Sequence, residues 1–556
     1  LMGGLALSEG KIAEMKTGEG KTLTAIAPAV YQALRGKVHV ITVNDYLANR
    51  DAETTTIVYD FLGLSVGIVT SNTQDKKEQY NKNIIYVTNT ELAFDYLRDN
   101  LALNLNDQVL ENKFDFAIID EIDSILIDEA RSPIIISGQS NRNNSETYKN
   151  LNELVSLMKP GKETKNDKGQ VVDYVDGHFL LDLKSKSAHL TDTGVNFIEE
   201  KLNIDNMYSE GENAFIVHSI TQSIIANYCY KKGVDYIVKD DNVLIIDENT
   251  GRISEGRRYG DGLHQAIEVK EGLEPKPENQ SIATITYQNL FTRYKMKAGM
   301  TGTAKTEALE FLEVYNLDVV NISTHKPIQR IDHKDVIFFT EEDKTKAIIN
   351  KIKEIHATKQ PILIGTTSVN KSEKLHQLLT QLNIKHEVLN AKNHEREAEI
   401  ISKAGELSAV TIATNMAGRG VDIKVPEESL EKGGLYILGT ERYSSRRVDE
   451  QLRGRSGRQG DVGVSQFYLS LEDELLVMFG GDKIKSLVKI LKLENSTSLE
   501  SPMLSKTIEN SQKQLEQLHF EYRKTLIKFD NINSEQRNVI YNIRQEILER
   551  KFNIDE

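Results

Sequence analysis

The chain has almost no cysteine and no long apolar run. Its 556 residues contain one cysteine, Cys229, which excludes an internal disulfide and a cysteine-rich zinc site. This cysteine usage fits a reducing, cytoplasmic setting. No apolar run approaches the roughly 20 residues of a membrane span, and no signal peptide opens the chain, so we expect a soluble protein.

Net positive charge is also missing. The formal charge is −14 at pH 7, which argues against a large nucleic-acid footprint, although a basic groove can exist within an acidic whole. The length predicts roughly three or four domains with separate cores. Because the chain starts at Leu1 and runs at once into Gly3 and Gly4, we expect a fragment that lacks its natural start.

Glycine and proline are absent after Pro502. Between Ile508 and Ile547 apolar residues recur at three-and-four spacing, which is typical of one helical stripe. The segment therefore predicts one helix of roughly 50 residues, about 75 Å long. A break near Asp530 to Ser534 is the competing interpretation, because asparagine and serine are poor helix formers.

What the chain does contain, close to its start, is a glycine-rich loop from Met15 to Thr22. Gly18 and Gly20 allow backbone N–H groups to curl around a β-phosphate at the start of a helix. Lys21 would then reach the β and γ oxygens, and the Thr22 hydroxyl would bind Mg²⁺. The strict motif begins with glycine where this chain has methionine, so the match is to the shortened variant of helicase-like motors.

An acidic motif follows roughly a hundred residues later in the chain. The apolar run Phe116 to Ile119 predicts a buried parallel strand that delivers Asp120 and Glu121 to the carboxyl edge of a sheet. We expect Asp120 to hold hydrated Mg²⁺ and Glu121 to orient or deprotonate the attacking water. Together the two motifs predict binding and hydrolysis of a nucleoside triphosphate.

Short β-branched runs alternate with helical stretches in two separate series, which predicts two doubly wound parallel sheets with a nucleotide in the cleft between them. The first series has strands at Val38 to Val43, Val66 to Val69, Ile84 to Thr88 and Phe116 to Ile119. The second has strands at Val336 to Phe339, Ile362 to Gly365, Glu387 to Leu389, Val410 to Thr414, Tyr436 to Gly439 and Gln466 to Leu469. Between them, from about Ser137 to Gln280, polar stretches and a hairpin-like region at Val234 to Ile246 predict an inserted domain with antiparallel strands.

The second series carries its own candidate site residues. Arg419 and Asp422 lie in a glycine-flexed loop after a strand and are suited to contact ribose or phosphate across a cleft. Arg455 and Arg458 are three residues apart, so we expect both guanidinium groups to project from one helical face. Two arginines aimed at the γ-phosphate from a second domain would stabilise the transition state only when the cleft closes.

Several longer motifs resemble the SecA family of preprotein translocase ATPases over nearly the whole chain. They are Gly18-Glu-Gly-Lys-Thr22, Thr42-Val-Asn-Asp-Tyr-Leu47, Phe94-Asp-Tyr-Leu-Arg-Asp-Asn100, Asp120-Glu-Ile-Asp-Ser-Ile-Leu-Ile-Asp-Glu-Ala-Arg131, Ala298-Gly-Met-Thr-Gly-Thr-Ala304, Ala413-Thr-Asn-Met-Ala-Gly-Arg-Gly420 and Leu452-Arg-Gly-Arg-Ser-Gly-Arg-Gln-Gly-Asp461. The resemblance implies an α/β fold with two tandem RecA-like, helicase-type nucleotide-binding domains, an inserted α+β domain and a long C-terminal scaffold helix.

The resemblance also implies domain boundaries and a site. Residues 1–137 with 279–326 would form the first nucleotide-binding domain, 138–278 the preprotein cross-linking domain, 327–480 the second nucleotide-binding domain, and 481–556 the start of the helical scaffold. The ATP site would use Gly18, Glu19, Gly20, Lys21, Thr22 and Asp422, with Asp120 holding Mg²⁺ through water. Arg455 and Arg458 would be arginine fingers, with Arg419 beside them.

The implied function is ATP-driven transfer of unfolded preproteins through a SecYEG-type channel. The implied partners are that translocon, preproteins with their signal sequences, the membrane surface and a possible second copy of the chain, but not nucleic acid. The chain would be cytoplasmic and peripheral on the inner face of the plasma membrane, or in plastid stroma and on thylakoids if plastid-derived.

Two departures and two rival functions accompany this interpretation. The family usually reads Glu-Arg-His-Glu-Ser-Arg-Arg where this chain has Glu441-Arg-Tyr-Ser-Ser-Arg-Arg447, and Gly-Thr-Asp where it has Gly420-Val-Asp422, which suits an accessory paralogue or a divergent plastid form. A nucleic-acid helicase would show ATPase stimulation by RNA or DNA. A non-catalytic nucleotide-sensing scaffold would keep its partner response without turnover.

Overall fold

The computed structural model describes most of the chain. It leaves out residues 112, 140–144, 166–170, 176, 183–185, 205–206, 208–211, 240, 247–252, 255–257, 278, 390–396, 415–421, 480–501 and 550–556. The described residues form two compact units, one from Leu1–Ile136 with Ala283–Glu556 and one from Ser137–Ile282.

The first part of the larger unit alternates strands and helices. Its strands are β1 (Ile12–Glu14), β2 (Val38–Thr42), β3 (Val66–Val69), β4 (Ile84–Thr88) and β5 (Phe116–Asp120), followed by β6 (Ile134–Gln139). Its helices are α1 (Met2–Ser8), α2 (Lys21–Ala33), α3 (Asp45–Phe61), α4 (Lys76–Tyr80) and α5 (Asn89–Leu101). One π-helical turn, Ser124–Asp128, follows β5. The strands predicted at Val38, Val66, Ile84 and Phe116 are thereby confirmed.

The described residues of the smaller unit form antiparallel hairpins and four helices. Its strands are β7 (Lys162–Lys165), β8 (Val171–Val175), β9 (Phe179–Asp182), β10 (Ser187–Leu190), β11 (Tyr236–Lys239), β12 (Asn242–Ile246) and β13 (Ile253–Ser254). The helices are α6 (Ser145–Ser156), α7 (Asp192–Leu202), α8 (Glu212–Tyr228) and α9 (Leu263–Lys270), around a core that includes Leu151, Ile224 and Ile267. Strands pair antiparallel as β7 with β8, β9 with β10, and β11 with β12 with β13, which confirms the predicted antiparallel insertion.

The chain then returns and completes the first parallel sheet. The returning elements are β14 (Asn279–Ile285), which pairs with β6, then α10 (Tyr287–Phe291), β15 (Met296–Thr301), α11 (Ala308–Tyr315) and β16 (Val319–Asn321). The sheet has the order β16-β1-β15-β5-β2-β4-β3 and every pair in it is parallel. We call this sheet and its helices the first lobe. Two of its strands, β15 and β16, were not predicted from the sequence.

A second parallel sheet forms the second lobe. Its strands are β17 (Ile331–Asp332), β18 (Val336–Phe338), β19 (Ile362–Thr366), β20 (Glu387–Leu389), β21 (Val410–Thr414), β22 (Leu435–Gly439) and β23 (Gly463–Ser470). Its helices are α12 (Glu341–Ala357), α13 (Val369–Gln381), α14 (Glu397–Lys403), α15 (Glu427–Leu430), α16 (Arg446–Arg453) and α17 (Glu474–Phe479). The order is β17-β23-β22-β19-β21-β20, with β18 also paired to β23. Both sheets carry apolar clusters on their two faces, as doubly wound sheets do.

The last described element is one long helix, α18 (Pro502–Leu548). It runs without interruption, so the single-helix prediction is confirmed and the break near Asp530 is wrong. The fold class predicted from the sequence, two tandem parallel-sheet domains with an inserted α+β domain and a long C-terminal helix, is confirmed as well. Across the described part of the chain, no helix combines the length and apolar character that a bilayer crossing needs.

Candidate nucleotide-binding site

The glycine-rich loop connects β1 to α2 at the carboxyl edge of the first sheet. Gly18 has φ 91° and Gly20 has φ 84°, a left-handed conformation that a side chain would strain. Gly20 is also the residue that caps the start of α2, so the loop leads directly into a helix N-terminus, where backbone N–H groups and the helix dipole favour an anion. The base of the loop is held by Glu14, whose carboxylate accepts from the backbone N–H of Ala304 at 3.0 Å.

Lys21 faces the acidic motif. Its Nζ donates to Glu121 Oε1 at 2.8 Å, and both side chains are largely buried. Burial lowers the pKa of Lys21, but the carboxylates of Glu121 and Asp120 outweigh it, so the net shift of the pKa is upward. Lys21 therefore stays a cation. The Glu121 carboxylate is its anionic partner here, and a phosphate oxygen could take the same place.

Glu121 adopts an unusual backbone conformation. Its φ of 47° lies in the left-handed region, which costs a non-glycine residue on the order of 1–3 kcal/mol. Such strain persists only where surrounding structure holds it. Here β5 ends one residue earlier, and the carboxylate is fixed by Lys21, with the Thr301 hydroxyl 3.5 Å from its second oxygen.

Asp120 ends β5 and is buried. Among the described residues its Oδ1 has no hydrogen-bond partner, which is unusual for a buried carboxylate. Burial and the nearby Glu121 raise the pKa of Asp120 to about 7. Burial raises the pKa of the Asp51 carboxyl on α3, and the neighbouring Thr22 side chain partly offsets that rise. An orphaned carboxylate oxygen suits a hydrated divalent cation, since Mg²⁺ takes few protein oxygens and keeps several waters.

The second lobe reaches the same loop through the segment after α16. Gln459 Nε2 donates to the Gly18 carbonyl at 2.8 Å. A Cβ on Gly18 would lie 3.5 Å from Cβ of Arg458, so the arginine lies directly against the loop. The Arg458 guanidinium pairs with Asp422 and its Nε donates to the Gly454 carbonyl at 3.1 Å. Lys21 and Arg458, which are more than 400 positions apart, thus lie at one cleft.

One geometric expectation for the arginines is wrong. Arg455 and Arg458 do not share a helical face, because α16 ends at Arg453 and the glycines at 454 and 457 turn the chain into a loop. Gly457 takes φ 67°, which separates the two side chains. Arg455 is buried near Tyr443, while Arg458 faces the first lobe. Arg419 lies outside the described residues.

The cleft between the lobes is narrow. It encloses a cavity of about 100 Å³ lined by residues from both lobes, among them Thr17, Glu121, Thr303, Gln451 and Arg458. Ligand pockets usually measure about 300–1,000 Å³, so this cavity alone is too small for a whole nucleotide.

A buried carboxylate that the sequence analysis did not single out joins the lobes. Asp123 accepts from the hydroxyls of Thr301 at 2.8 Å and Thr303 at 2.7 Å. From the second lobe it accepts from Gln451 at 2.7 Å and from Arg447 at 3.1 Å. Its position three residues after Asp120 was the available signal. Gln459 gave no comparable signal, because its partner, Gly18, is distant in the sequence.

Comparison with known proteins identifies the family. A family model described as the SecA DEAD-like domain matches residues 1–312. The chain belongs to the SecA family. A model of the SecA P-loop domain matches residues 327–430 and 424–496. A model of the SecA wing and scaffold domain matches residues 498–556.

Two SecA relatives illustrate the similarity. The protein translocase subunit SecA of Aliarcobacter butzleri is 52% identical over all of this chain, which covers 64% of that protein. The SecA of Campylobacter hominis is also 52% identical over the whole chain, which covers 63% of it. The chain thus spans slightly less than two thirds of these relatives. Neither relative lends support to the plastid alternative.

A solved structure of S. cerevisiae Dbp5 bound to RNA and ADP BeF3 matches with a TM-score of 0.39 and 12% identity. That match covers 90% of this chain and 88% of the Dbp5 chain. Similarity at this level carries no argument about function.

Proposed function

We propose that this chain is the nucleotide-hydrolysing part of an ATP-driven motor that transfers unfolded preproteins through a SecYEG-type channel. The observation that carries the proposal is the contact of the second lobe with the phosphate loop, where Gln459 bonds Gly18 and Arg458 packs against it. A nucleotide in this cleft would touch both lobes, so its hydrolysis would change how the lobes meet. The reaction is ATP and water to ADP and phosphate.

The first lobe binds the triphosphate and activates water. Backbone N–H groups from Gly18 to Thr22, Glu19 included, surround the phosphates, and Lys21 neutralises the β and γ oxygens. Asp120, through water, and Thr22 would hold Mg²⁺, which when bound neutralises phosphate charge. As Lys21 turns from Glu121 toward phosphate, the Glu121 carboxylate is released to orient and deprotonate water.

The second lobe supplies positive charge to the transition state. Arg458 already lies against the phosphate loop, and its pairing with Asp422 keeps the guanidinium at the cleft until nucleotide competes for it. Arg455 and Arg419 act with it as further cationic groups, and Asp422, once released, is free to contact the ribose. This arrangement stabilises charge only in the closed cleft, which is how hydrolysis is coupled to movement.

Family membership supports the remaining parts of the proposal. Residues 1–137 with 279–326 and residues 327–480 are the two nucleotide-binding domains, 138–278 is the preprotein cross-linking domain, and 481–556 begins the scaffold. The compact unit Ser137–Ile282 supports the boundaries of the cross-linking domain. Partners are the translocon, preproteins with signal sequences, the inner face of the plasma membrane and a second copy of the chain. The setting is cytoplasmic, at the membrane periphery.

The substitution Glu121→Gln tests the catalytic assignment. It keeps the side-chain size but removes the base, so steady-state ATP turnover should fall by at least about 100-fold. A fluorescent ATP analogue should still bind, because the neutral amide does not repel phosphate. Glu78→Gln, an exposed change on α4, is the control and should leave both quantities unchanged. Wild-type turnover in the Glu121 variant would overturn the assignment, and no turnover in the wild type would favour a nucleotide-sensing scaffold.

A further inference from the structure

The segment that joins the two lobes lies directly beneath the arginine loop, residues 454–460. Arg330 is its last residue before β17 and its side chain is 9% exposed. Nη1 of Arg330 donates to the carbonyl of Arg453 at 2.9 Å and to that of Ser456 at 3.1 Å. The Arg453 carbonyl, at the end of α16, also accepts from the Ser456 N–H at 3.1 Å, so Arg330 binds the turn that leads from α16 into the arginine loop.

The other edge of the same guanidinium is fixed to the second sheet. Nε and Nη2 of Arg330 donate to the two oxygens of Asp332 at 2.7 and 3.1 Å. Asp332 also accepts from the Ser465 hydroxyl at 2.6 Å, and it pairs with Ser465 in the sheet. A planar guanidinium bound along two edges has a single orientation, which a lysine ammonium cannot reproduce.

Close packing leaves no space between the linker and the loop. A Cβ on Gly457 would lie 2.5 Å from Cβ of Arg330, and a Cβ on Gly460 would lie 2.8 Å from Cβ of Lys326. Both glycines also have positive φ, 67° and 81°. The arginine loop therefore packs against the linker at two points, and these contacts fix the distance between the loop and the linker.

We propose that Arg330 is a positioning residue for the arginine loop. It ties the loop that carries Arg458 to the linker between the lobes, so Arg458 meets the phosphates only when the linker has brought the lobes together. Because Arg330 donates to backbone carbonyls and to Asp332, it acts through the loop and not on the phosphates themselves. This inference rests on the proposed ATPase function.

The test compares Arg330→Ala, Arg330→Lys and Asp332→Asn in the natural full-length protein. Loss of the hydrogen bonds of the Arg330 guanidinium should displace the arginine loop. A displacement on the scale of 1 Å lowers kcat by about 100-fold. We expect the kcat of Arg330→Ala to fall by that factor. The kcat of Arg330→Lys should fall by about tenfold, because lysine restores the charge but not the planar set of guanidinium donors. The KM for ATP and the affinity for a fluorescent ATP analogue should change much less than kcat, because the residues from Gly18 to Thr22 that bind the phosphates are unchanged.

Asp332→Asn is the matched control. It weakens the same ion pair but keeps both bonds from Arg330 to the carbonyls of the loop, so kcat should change much less than in the Arg330 variants. Wild-type kcat in Arg330→Lys and Arg330→Ala would overturn the inference. So would equal losses of kcat in all three variants, accompanied by equal falls in Tm, because that pattern indicates a stabilising ion pair alone. An inactive wild type would instead overturn the proposed function.

Discussion

Glu307 is a buried carboxyl group at the junction of three helices. It precedes α11 and lies near Arg447 of α16, Arg523 and Glu516 of α18, and Glu310 of α11. Burial is the main reason that the pKa of Glu307 rises to about 7, and the two arginines do not offset it. An acid whose pKa is higher in the folded state than in the unfolded state favours folding when protonated and opposes it when ionised.

The substitution Glu307→Gln should therefore stabilise the protein at high pH. Below about pH 4.5, where the acid is protonated in both states, variant and wild type should have the same stability. As pH rises from about 4.5 to about 7 the wild type loses on the order of 3 kcal/mol that the variant keeps, so at pH 8 the Tm of the variant should be several degrees higher. Glu313→Gln, an exposed change on the same helix, should show no such pH-dependent difference. Equal stability of wild type and Glu307→Gln at pH 8 would contradict the raised pKa.

Sequence reasoning at this scale succeeded where function depends on neighbouring residues. Gly18, Lys21, Asp120 and Glu121 could be picked out because the loop and the strand end are local patterns, and the structure brings them together. Arg330 and Gln459 could not, because each acts on a backbone carbonyl far away in the sequence. The prediction that Arg455 and Arg458 share a helical face was wrong, because it assumed helical spacing across two glycines that follow the end of the helix.

At the scale of elements, α18 shows how tertiary contacts override local preference. The segment from Asp530 to Ser534 has poor helix formers, yet the helix continues through it. Asp530 accepts from the Thr286 hydroxyl at 2.7 Å and from Asn289 Nδ2 at 2.6 Å, and Arg537 pairs with it further along the helix. These bonds join the helix to α10, which no pattern within the segment could reveal.

The buried ion pair between α18 and α11 gives a sharp test of what holds the long helix. Arg523 donates to both oxygens of Glu310 at 2.6 Å, and the two side chains are 3% and 4% exposed. Arg523→Ala leaves a buried carboxylate without its partner, so the free energy of unfolding should fall by about 3–5 kcal/mol. The double variant Arg523→Met with Glu310→Leu should recover most of that loss, because it removes both charges and keeps volume.

The adjacent residue provides the control. Lys524 pairs with Glu313 between the same two helices, but both side chains are more than 40% exposed. Lys524→Ala should therefore cost less than about 1 kcal/mol. Urea titration followed by far-UV circular dichroism measures all three variants. Equal effects of Arg523→Ala and Lys524→Ala would mean that burial does not decide the strength of this contact.

At the scale of the whole molecule, α18 binds both lobes. Gln512 and Glu516 contact α16 and the segment before it in the second lobe, while Arg523 and Asp530 bind the first lobe. The two sheets could be predicted from their alternating strands, because buried parallel strands have a recognisable composition. The pairing of β1 and β15 could not, since these short strands meet only after an insertion of about 150 residues has returned to the sheet.

The charge of the whole chain separates the proposed export motor from a helicase. Its net charge is −14, and four arginines in the described part of the second lobe are already paired, Arg446 with Glu516, Arg447 with Asp123, Arg453 with Glu450 and Arg458 with Asp422. Phosphate backbones bind where basic side chains release counterions, and paired arginines offer little of that gain. An unfolded polypeptide, in contrast, is bound through backbone edges and apolar contacts that need no positive groove.

We therefore expect the ATPase of the natural full-length protein to respond to polypeptide and membrane, not to RNA. Steady-state ATP turnover at physiological salt should rise several-fold with channel-bearing membranes and a signal-sequence peptide, and should change less than about twofold with single-stranded RNA. Liposomes without the channel are the control for a lipid effect. A larger stimulation by RNA alone would mean that the protein has a positive groove for nucleic acid. That result would contradict a polypeptide substrate and favour a helicase.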